Sequence, residues 1–319
     1  MGRPIKVPVV VARGDKEGPV FGVTAALHGN EINGIPVIHH LIDRLDLKKL
    51  RGTVVAVIVV NVPGYLTHQR MFVDGRDLNH IMPGKPDGNA AEIYGHRLFE
   101  RIIGQFNYLV DLHTASFGRV NPLYVRGGHD SMCRPRKWPI SSCPQIILHD
   151  PPSDRTLRGA AMELGIPAIT VEIRDPHRFQ DESIKRSLVG LRSVLSEVGM
   201  LPKRTVTPGP APILCESSSW IYTDHGGLLE VYPDITEEVT ADTCIARLSN
   251  IFGDVIREYK APYDGIVIGK STNPVGQTGA RVVHLGRVSH AVDKLYQPRK
   301  DSVKGRSDAD SSIQEPTHK

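Results

Sequence analysis

The stretch VFGVTAALHGNE, residues 20–31, decides the fold, because an apolar run leads directly into a short polar segment. Residues 20–27 are almost entirely apolar, which is typical of a strand covered on both faces. The run ends in His28, Gly29, Asn30 and Glu31, and a helical pattern follows. Ligands of open α/β sheets bind at the carboxyl ends of the strands. His28 and Glu31 are therefore candidate ligand-binding or catalytic residues.

Similar apolar runs recur through the first two thirds of the chain, and segments with helical periodicity separate them. The runs that predict strands are 7–12, 20–27, 54–60, 108–112, 145–148 and 168–173. Apolar residues recur about every 3.6 positions, which predicts helices, in 31–45, 89–103, 155–164 and 182–198. Strands that alternate with helices predict an α/β fold with a mixed, mostly parallel sheet flanked by helices.

The character of the sequence changes near residue 205. Residues 205–212 read TVTPGPAP, which is typical of an extended linker. Short β-like runs follow, separated by Gly, Pro, Asp and Asn, at 219–222, 227–232, 255–260 and 265–269. We therefore predict an α/β domain at 1–204 that carries His28 and Glu31, an all-β, barrel-like module at 205–297 and a disordered tail at 298–319.

Composition argues against several classes of protein. The 319 residues are 40% hydrophobic and 23% charged, as in ordinary soluble globular proteins. A net charge of +4 is too small to indicate binding to nucleic-acid phosphates, and 6% aromatic residues argue against a base-stacking surface. The longest apolar run, 53–62, is too short to span a bilayer, and residues 1–11 lack a signal-peptide core. Four cysteines without CxxC spacing suit a reducing compartment. We expect a cytoplasmic protein that binds neither nucleic acid nor membrane.

A second strand end supplies another imidazole. Residues 108–112 are apolar except for Asp111, and His113 follows them. Two imidazoles and one carboxylate, from His28, Glu31 and His113, form a three-ligand set that suits catalytic zinc and leaves one position open. Lone histidines are more often hydrogen-bonded core or surface residues, so the pattern alone leaves both interpretations open.

Two further segments carry candidate catalytic groups. Glu172 lies near the end of the apolar run 168–173, where an unpaired carboxylate is costly to bury. It either forms a salt bridge with a nearby arginine or acts as a general base. Residues 70–84 form a long loop rich in Asp, Gly and Arg. Such a loop is usually a solvated surface, but its arginines and its amide also suit a clamp for a carbonyl oxygen and a carboxylate.

Four motifs occur in a fixed order: HGNE at 28–31, DGRDLNHIMPG at 74–84, DLHT at 111–114 and VEI at 171–173. Together they resemble the succinylglutamate desuccinylase/aspartoacylase family of the zinc-carboxypeptidase-like superfamily, over about residues 20–200. The resemblance implies one zinc ion per chain. It also implies hydrolysis of an amide that joins an acyl group to an amino acid or a related amine.

Carried over by position, the resemblance also implies site residues. They are the zinc ligands His28, Glu31 and His113, the general base Glu172, the carbonyl-polarising Arg70 and the carboxylate-binding amide Asn79. The family usually has Arg after this Asn, whereas this chain has His80. An imidazole cannot reproduce the planar fork of a guanidinium. Either the substrate carboxylate is held differently, with Arg76 as a candidate, or it is absent.

The C-terminal module resembles a biotinyl/lipoyl-like barrel through DHGGL at 224–228 and APYDGIV at 261–267. It shows no modifiable lysine in a tight turn, which favours a structural or substrate-covering role.

We predict a zinc-dependent hydrolase that removes an acetyl or succinyl group from a small N-acyl amino acid or diamino acid. The bond is a linear amide other than a peptide bond. A zinc carboxypeptidase acting on short peptides and a non-catalytic binding protein on the same scaffold are the alternatives. Assembly into a homo-oligomer is left open.

Overall fold

The computed structural model describes residues 4–127, 144–152, 155–203 and 210–289. Its strands are β1 (Val9–Arg13), β2 (Lys16–Ala25), β3 (Arg51–Val57), β4 (Tyr108–His113), β5 (Arg119–Val120), β6 (Leu123–Gly127), β7 (Ile146–His149), β8 (Ala168–Ile173), β9 (Ile213–Tyr222), β10 (Gly227–Val231), β11 (Glu238–Val239), β12 (Cys244–Ser249), β13 (Val255–Lys260), β14 (Gly265–Ser271), β15 (Val275–Gly276) and β16 (Arg281–Val288). The α-helices are α1 (Gly34–Asp43), α2 (Val62–Leu66), α3 (Ala90–Arg101), α4 (Leu157–Glu163) and α5 (Asp181–Glu197).

The main sheet has the strand order β1-β3-β2-β4-β8-β6-β7-β9-β16-β14-β11, with β5 paired to β14. Strands β3, β2, β4 and β8 run parallel, whereas β1 and β6 run antiparallel to their neighbours in this half of the sheet. The register pairs His113 of β4 with Glu172 of β8. The carboxyl ends of β2, β4 and β8 therefore lie side by side, and this edge carries the candidate site.

Helices cover both faces of the parallel strands. Helices α1 and α5 pack on one face, where Val37 and Leu188 contribute to a buried apolar cluster. Helices α3 and α4 contribute Leu98 and Leu157 to a second buried cluster. Because successive strand side chains point to opposite faces, alternate strand residues join the two clusters. Removal of this apolar surface from water stabilises the layered arrangement.

The C-terminal strands continue the same sheet. Strand β9 pairs in parallel with β7, and β16, β14 and β11 extend the sheet beyond it in antiparallel pairs. The short strand β5, which follows the end of β4, pairs with β14. A separate antiparallel sheet has the order β13-β12-β10-β15. Residues up to 289 form one compact unit, so the C-terminal strands are joined to the segment that follows β4.

The predicted mixed sheet with flanking helices is confirmed, and the predicted C-terminal β structure is present. Helix α2 and the strands β5, β6, β11, β12, β15 and β16 were not predicted. The helix predicted from residue 31 begins at Gly34, because residues 28–33 form the loop of the candidate site. Within the ranges described, no helix is both long and apolar enough to cross a membrane. Most of the predicted linker and the whole tail lie outside the described residues, so the division at residue 205 stays a prediction.

Candidate active site

The loop after β2 brings His28 and Glu31 to the carboxyl edge of the sheet. Ala26 adopts the left-handed backbone region, with φ of 51°, and turns the chain out of the strand. Gly29 passes so close to α2 that a Cβ atom would lie 2.0 Å from the carbonyl carbon of Gly64. Only glycine fits this approach, which explains the second letter of the HGNE motif.

His28, Glu31 and His113, the His–Glu–His trio, lie together at this edge. His28 Nδ1 lies 2.8 Å from Glu31 Oε1, and His113 Nδ1 lies 2.9 Å from Glu31 Oε2. One donor atom of each residue lies within 4.8 Å of the others. All three side chains are buried, with residue exposures of 1–3%. The structure thus brings together the three residues that the sequence predicted as a metal site.

Two carboxylates, the buried Asp111 and the half-buried Asp77, orient the imidazoles of the trio. Asp77 Oδ1 lies 3.0 Å from His28 Nε2, and Asp111 Oδ2 lies 2.7 Å from His113 Nε2. A carboxylate only accepts hydrogen bonds, so both Nε2 atoms carry a proton and donate it. Both Nδ1 atoms are thereby directed toward Glu31. Thr24 donates to Asp111 across the sheet at 2.6 Å, which holds this second carboxylate in place.

The donor set fits a catalytic zinc site. Zinc in hydrolases is typically held by two imidazoles and one carboxylate, and such histidines usually donate their other N–H to a carboxylate. Burial opposes ionisation of Glu31, but the charges and hydrogen bonds of His28 and His113 hold its pKa well below the usual value. Glu31 is therefore an anionic oxygen donor at neutral pH, and the trio could hold a divalent cation.

Arg70 lies against the trio and is anchored from the opposite side. Its Nε and Nη2 atoms each lie 2.9 Å from Asp77 Oδ2, and its Nη1 donates to Glu31 Oε1 at 2.8 Å. Nη1 also contacts the hydroxyl of Ser116, which itself donates to Glu31 Oε1 at 3.1 Å. The guanidinium is therefore a fixed positive charge beside the predicted metal ligands.

Glu172 lies on the strand next to His113 and is buried, with 8% exposure. Asn121 donates to its Oε2 at 3.3 Å. Burial raises the pKa of Glu172 above the usual value, although the positive charge of His113 partly offsets this effect. Among the described residues, Glu172 forms no salt bridge with Arg174 or Arg178, and Arg178 pairs with Asp175 instead. A carboxyl with a raised pKa is well suited to taking up and returning a proton.

The three residues predicted to bind a substrate carboxylate are placed differently. Asn79 uses its side-chain oxygen to accept from the backbone N–H of Leu157 at 2.8 Å, at the start of α4. The His80 side chain is 65% exposed, and its nearest described carboxylate, Asp77, lies 3.8 Å away. The Arg76 side chain is 54% exposed and lies 4.0 Å from Asp74. None of the three forms a hydrogen bond or an ion pair with the trio in the described part of the chain.

The sequence did not assign several residues that build the site. Asp111 was visible as the single charge inside a buried strand, and Asp77 as part of the DLN motif, yet neither carried a role. Asn33 was also missed. Its amide donates to the carbonyls of Ile173 at 2.9 Å and of Asp175 at 3.3 Å, which ties the loop of the trio to the loop after Glu172.

Comparisons with known proteins agree with this geometry. The family model described as the succinylglutamate desuccinylase/aspartoacylase catalytic domain matches residues 17–198. The N-alpha-acetyl-L-2,4-diaminobutyric acid deacetylase of Halomonas elongata is 25% identical over 281 residues, which cover 83% of this chain and 81% of the relative.

Solved structures show the same fold. The product-bound ectoine utilization protein EutE (DoeB) from Ruegeria pomeroyi has a TM-score of 0.81 at 20% identity, with 89% of each chain covered. A succinylglutamate desuccinylase/aspartoacylase from Rhodobacter sphaeroides has a TM-score of 0.79 at 20% identity, with 89% of this chain and 90% of the other covered.

Proposed function

Because this chain belongs to the succinylglutamate desuccinylase/aspartoacylase family, we propose that it is a zinc-dependent deacylase of a small N-acylated amino acid or diamino acid. One observation carries the proposal: the buried His–Glu–His trio lies beside Glu172, whose carboxyl has no salt bridge among the described residues. The Halomonas elongata relative is a deacetylase of a diamino acid, which makes an acetyl group the first candidate.

His28, Glu31 and His113 would hold the zinc ion. When bound, zinc supplies a Lewis acid that polarises the acyl carbonyl and makes water more acidic. Glu172 takes a proton from the attacking water on its carboxylate, and the water oxygen bonds to the acyl carbon. The carbon–nitrogen bond then breaks, and Glu172 returns the proton to the departing amine. The products are a carboxylic acid and a free amine.

Arg70 stabilises the charge that develops on the acyl oxygen. Asp77 binds the Nε and Nη2 side of the guanidinium, which leaves Nη1 on the side of the trio. A preorganised cation in a water-poor site stabilises a transition-state oxyanion more than a mobile one does. Nη1 therefore donates to the acyl oxygen as negative charge accumulates there.

A panel of N-acyl amino acids and diamino acids tests the proposal, with amine release as the readout. Glu172→Gln keeps the shape of the side chain and its acceptor for Asn121, so it should retain zinc while losing about 10²- to 10⁴-fold in kcat. His113→Ala should lose zinc, as measured by elemental analysis. Full activity of Glu172→Gln, or unchanged zinc in His113→Ala, would contradict these assignments.

A second panel, of short dipeptides, measured beside the first separates the alternatives. Preferential turnover of dipeptides would favour the carboxypeptidase. A zinc-loaded protein that hydrolyses no amide in either panel would favour the binding protein.

A further inference from the structure

The three residues predicted to bind a substrate carboxylate are not placed to do so. Asn79 is engaged with the start of α4, and His80 and Arg76 lie largely in solvent. An N-acyl amino acid nevertheless carries a carboxylate close to its scissile amide. A cationic side chain elsewhere in the cleft would be needed to bind it.

A cleft of about 400 Å³ begins where the catalytic strands end. Its walls are residues 117–120 after β4, 175–177 after β8, and 272–274 between β14 and β15. The first two walls directly follow the strands that carry His113 and Glu172. Their loops are tied together, because Ala115 donates its backbone N–H to the Arg174 carbonyl at 2.7 Å. Two walls of the cleft therefore continue the strands that carry His113 and Glu172.

Arg119 lies in this cleft and one tight turn from the trio. Its backbone N–H donates to the Ser116 carbonyl at 3.1 Å, which closes a four-residue turn. Ser116 itself hydrogen-bonds Glu31. On the other side, Arg119 pairs with Ser271 of β14, so the C-terminal strands fix its position. Both ends of the segment are thus held.

The Arg119 guanidinium lacks an acidic partner in the described part of the chain. It lies 5.7 Å from the ring centre of Trp220, and Arg281 lies 5.1 Å from the same ring. Neither arginine forms an ion pair within 4.0 Å among the described residues. The carboxylate in the cleft wall, Asp175, pairs with Arg178 at 2.6 Å and forms no ion pair with Arg119.

Electrostatics agree with this geometry. Burial, together with the positive charges of Arg281 and Arg70, lowers the pKa of Arg119 to about 10. The guanidinium therefore stays cationic at neutral pH, and a bound anion would relieve its repulsion with the other arginines. The charges of Glu31 and Glu172 also act on Arg119, which places it within electrostatic range of the catalytic groups.

We propose that Arg119 binds the carboxylate of the substrate. In the family this role usually belongs to an arginine at the position that His80 occupies in this chain. Trp220 gives the Arg119 guanidinium a cation–π contact, and Arg281 adds positive charge at the same ring. The planar fork of Arg119 matches two carboxylate oxygens, which an imidazole at position 80 cannot do. This inference rests on the proposed deacylase function and names a specificity residue for it.

Paired substrates test the inference. One is N-acetyl-2,4-diaminobutyrate, and the other is N-acetyl-1,3-diaminopropane, which lacks only the carboxylate. The zinc-loaded wild type should prefer the first by about 10- to 100-fold in kcat/KM, the range expected for a hydrogen-bonded charge pair. Arg119→Gln should lose most of this preference, because kcat/KM falls for the first substrate and stays unchanged for the second. Arg119→Lys should keep part of it, and Arg101→Gln, a surface control at the end of α3, should keep all of it.

Zinc content and thermal unfolding, measured for every variant, separate loss of recognition from loss of structure. Turnover of the first substrate with an unchanged preference in Arg119→Gln overturns the inference and leaves the deacylase function standing. A preference that disappears in Arg76→Gln instead also overturns it. A wild type that hydrolyses neither of these substrates nor any member of the N-acyl panel overturns both the inference and the proposed function. If Arg119→Gln does not fold, the Arg119→Lys protein decides, and a preference equal to that of the wild type counts against bidentate binding.

Discussion

Replacing Asp77 with Asn should weaken zinc binding without unfolding the protein. Asp77 accepts from His28 Nε2 at 3.0 Å with one oxygen and from Arg70 at 2.9 Å with the other. An amide has the same shape but a single acceptor oxygen, and its NH₂ group would face a donor on one side or the other. The substitution therefore breaks one of the two contacts and removes the charge that supports both.

The size of the effect follows from these contacts. Loss of a carboxylate that orients a metal-binding histidine typically costs 10- to 100-fold in affinity, or about 1.4–2.7 kcal/mol. Saturating zinc should restore metal occupancy. It should not restore full turnover, because Arg70 also loses its anchor. We expect kcat at saturating zinc to stay roughly tenfold below that of the wild type, since Arg70, which stabilises the oxyanion, is less well positioned.

Competition with a chromogenic chelator measures the zinc Kd, and amine release measures kcat. Asp43→Asn, which removes an exposed carboxylate at the end of α1, is the matched control and should behave as the wild type. A folded Asp77→Asn protein with an unchanged zinc Kd would refute the idea that Asp77 orients His28. A raised zinc Kd with a normal kcat would refute only the role assigned through Arg70.

Three other measurements probe the site and its surroundings. Although burial favours neutral His113, its two carboxylate neighbours raise its pKa well above the usual value. Zinc must therefore displace a proton, affinity should fall as pH falls, and calorimetry in two buffers would contradict this if it shows no proton release. Gly29→Ala should destabilise the protein by about 1–3 kcal/mol in urea unfolding because its Cβ meets the Gly64 backbone, whereas Gly226→Ala, with its nearest atom at 3.5 Å, should not. Burial lowers the pKa of His284 from 6.5 to about 3, so the unfolded state binds more protons below pH 6.5. The free energy of unfolding should fall by up to about 1.4 kcal/mol per pH unit there, and an equal slope in His284→Gln would argue against this origin.

The parts of the fold that follow from local patterns were predictable. Apolar runs of strand length and the helical periodicities depend only on neighbouring residues, and they located β2, β4 and β8. The trio could be predicted because each member lies at or just beyond the end of such a strand, and parallel strands bring their ends to one edge.

Contacts between distant loops were not predictable from spacing. The bond from Asp77 to His28 joins residues 49 apart in sequence, and its existence depends on the path of the intervening loop. Asn79 shows the same difficulty, because its oxygen is committed to Leu157, which lies 78 residues away. A motif specifies which residues are present but not which neighbours they engage.

Strand β16 was missed for a related reason. Its buried run RVVHLGRV contains Gly286, and glycine normally weakens a strand. Here a Cβ atom would lie 2.6 Å from the Ile268 side chain and 2.7 Å from Cys215 Sγ. The glycine permits three strands to pack closely, which only the assembled sheet reveals.

Strand β7 is flanked by β6 on one side and by β9 on the other. A fragment that stopped at residue 203 would retain β7 but lose β9, leaving one row of its backbone N–H and C=O groups exposed. Because β7 is apolar and mostly buried in the full chain, that row would form an exposed edge able to pair with a second copy of the chain. We therefore expect the C-terminal strands to protect this edge from association between copies of the chain, and a fragment that ends at residue 203 to be less soluble than the full chain.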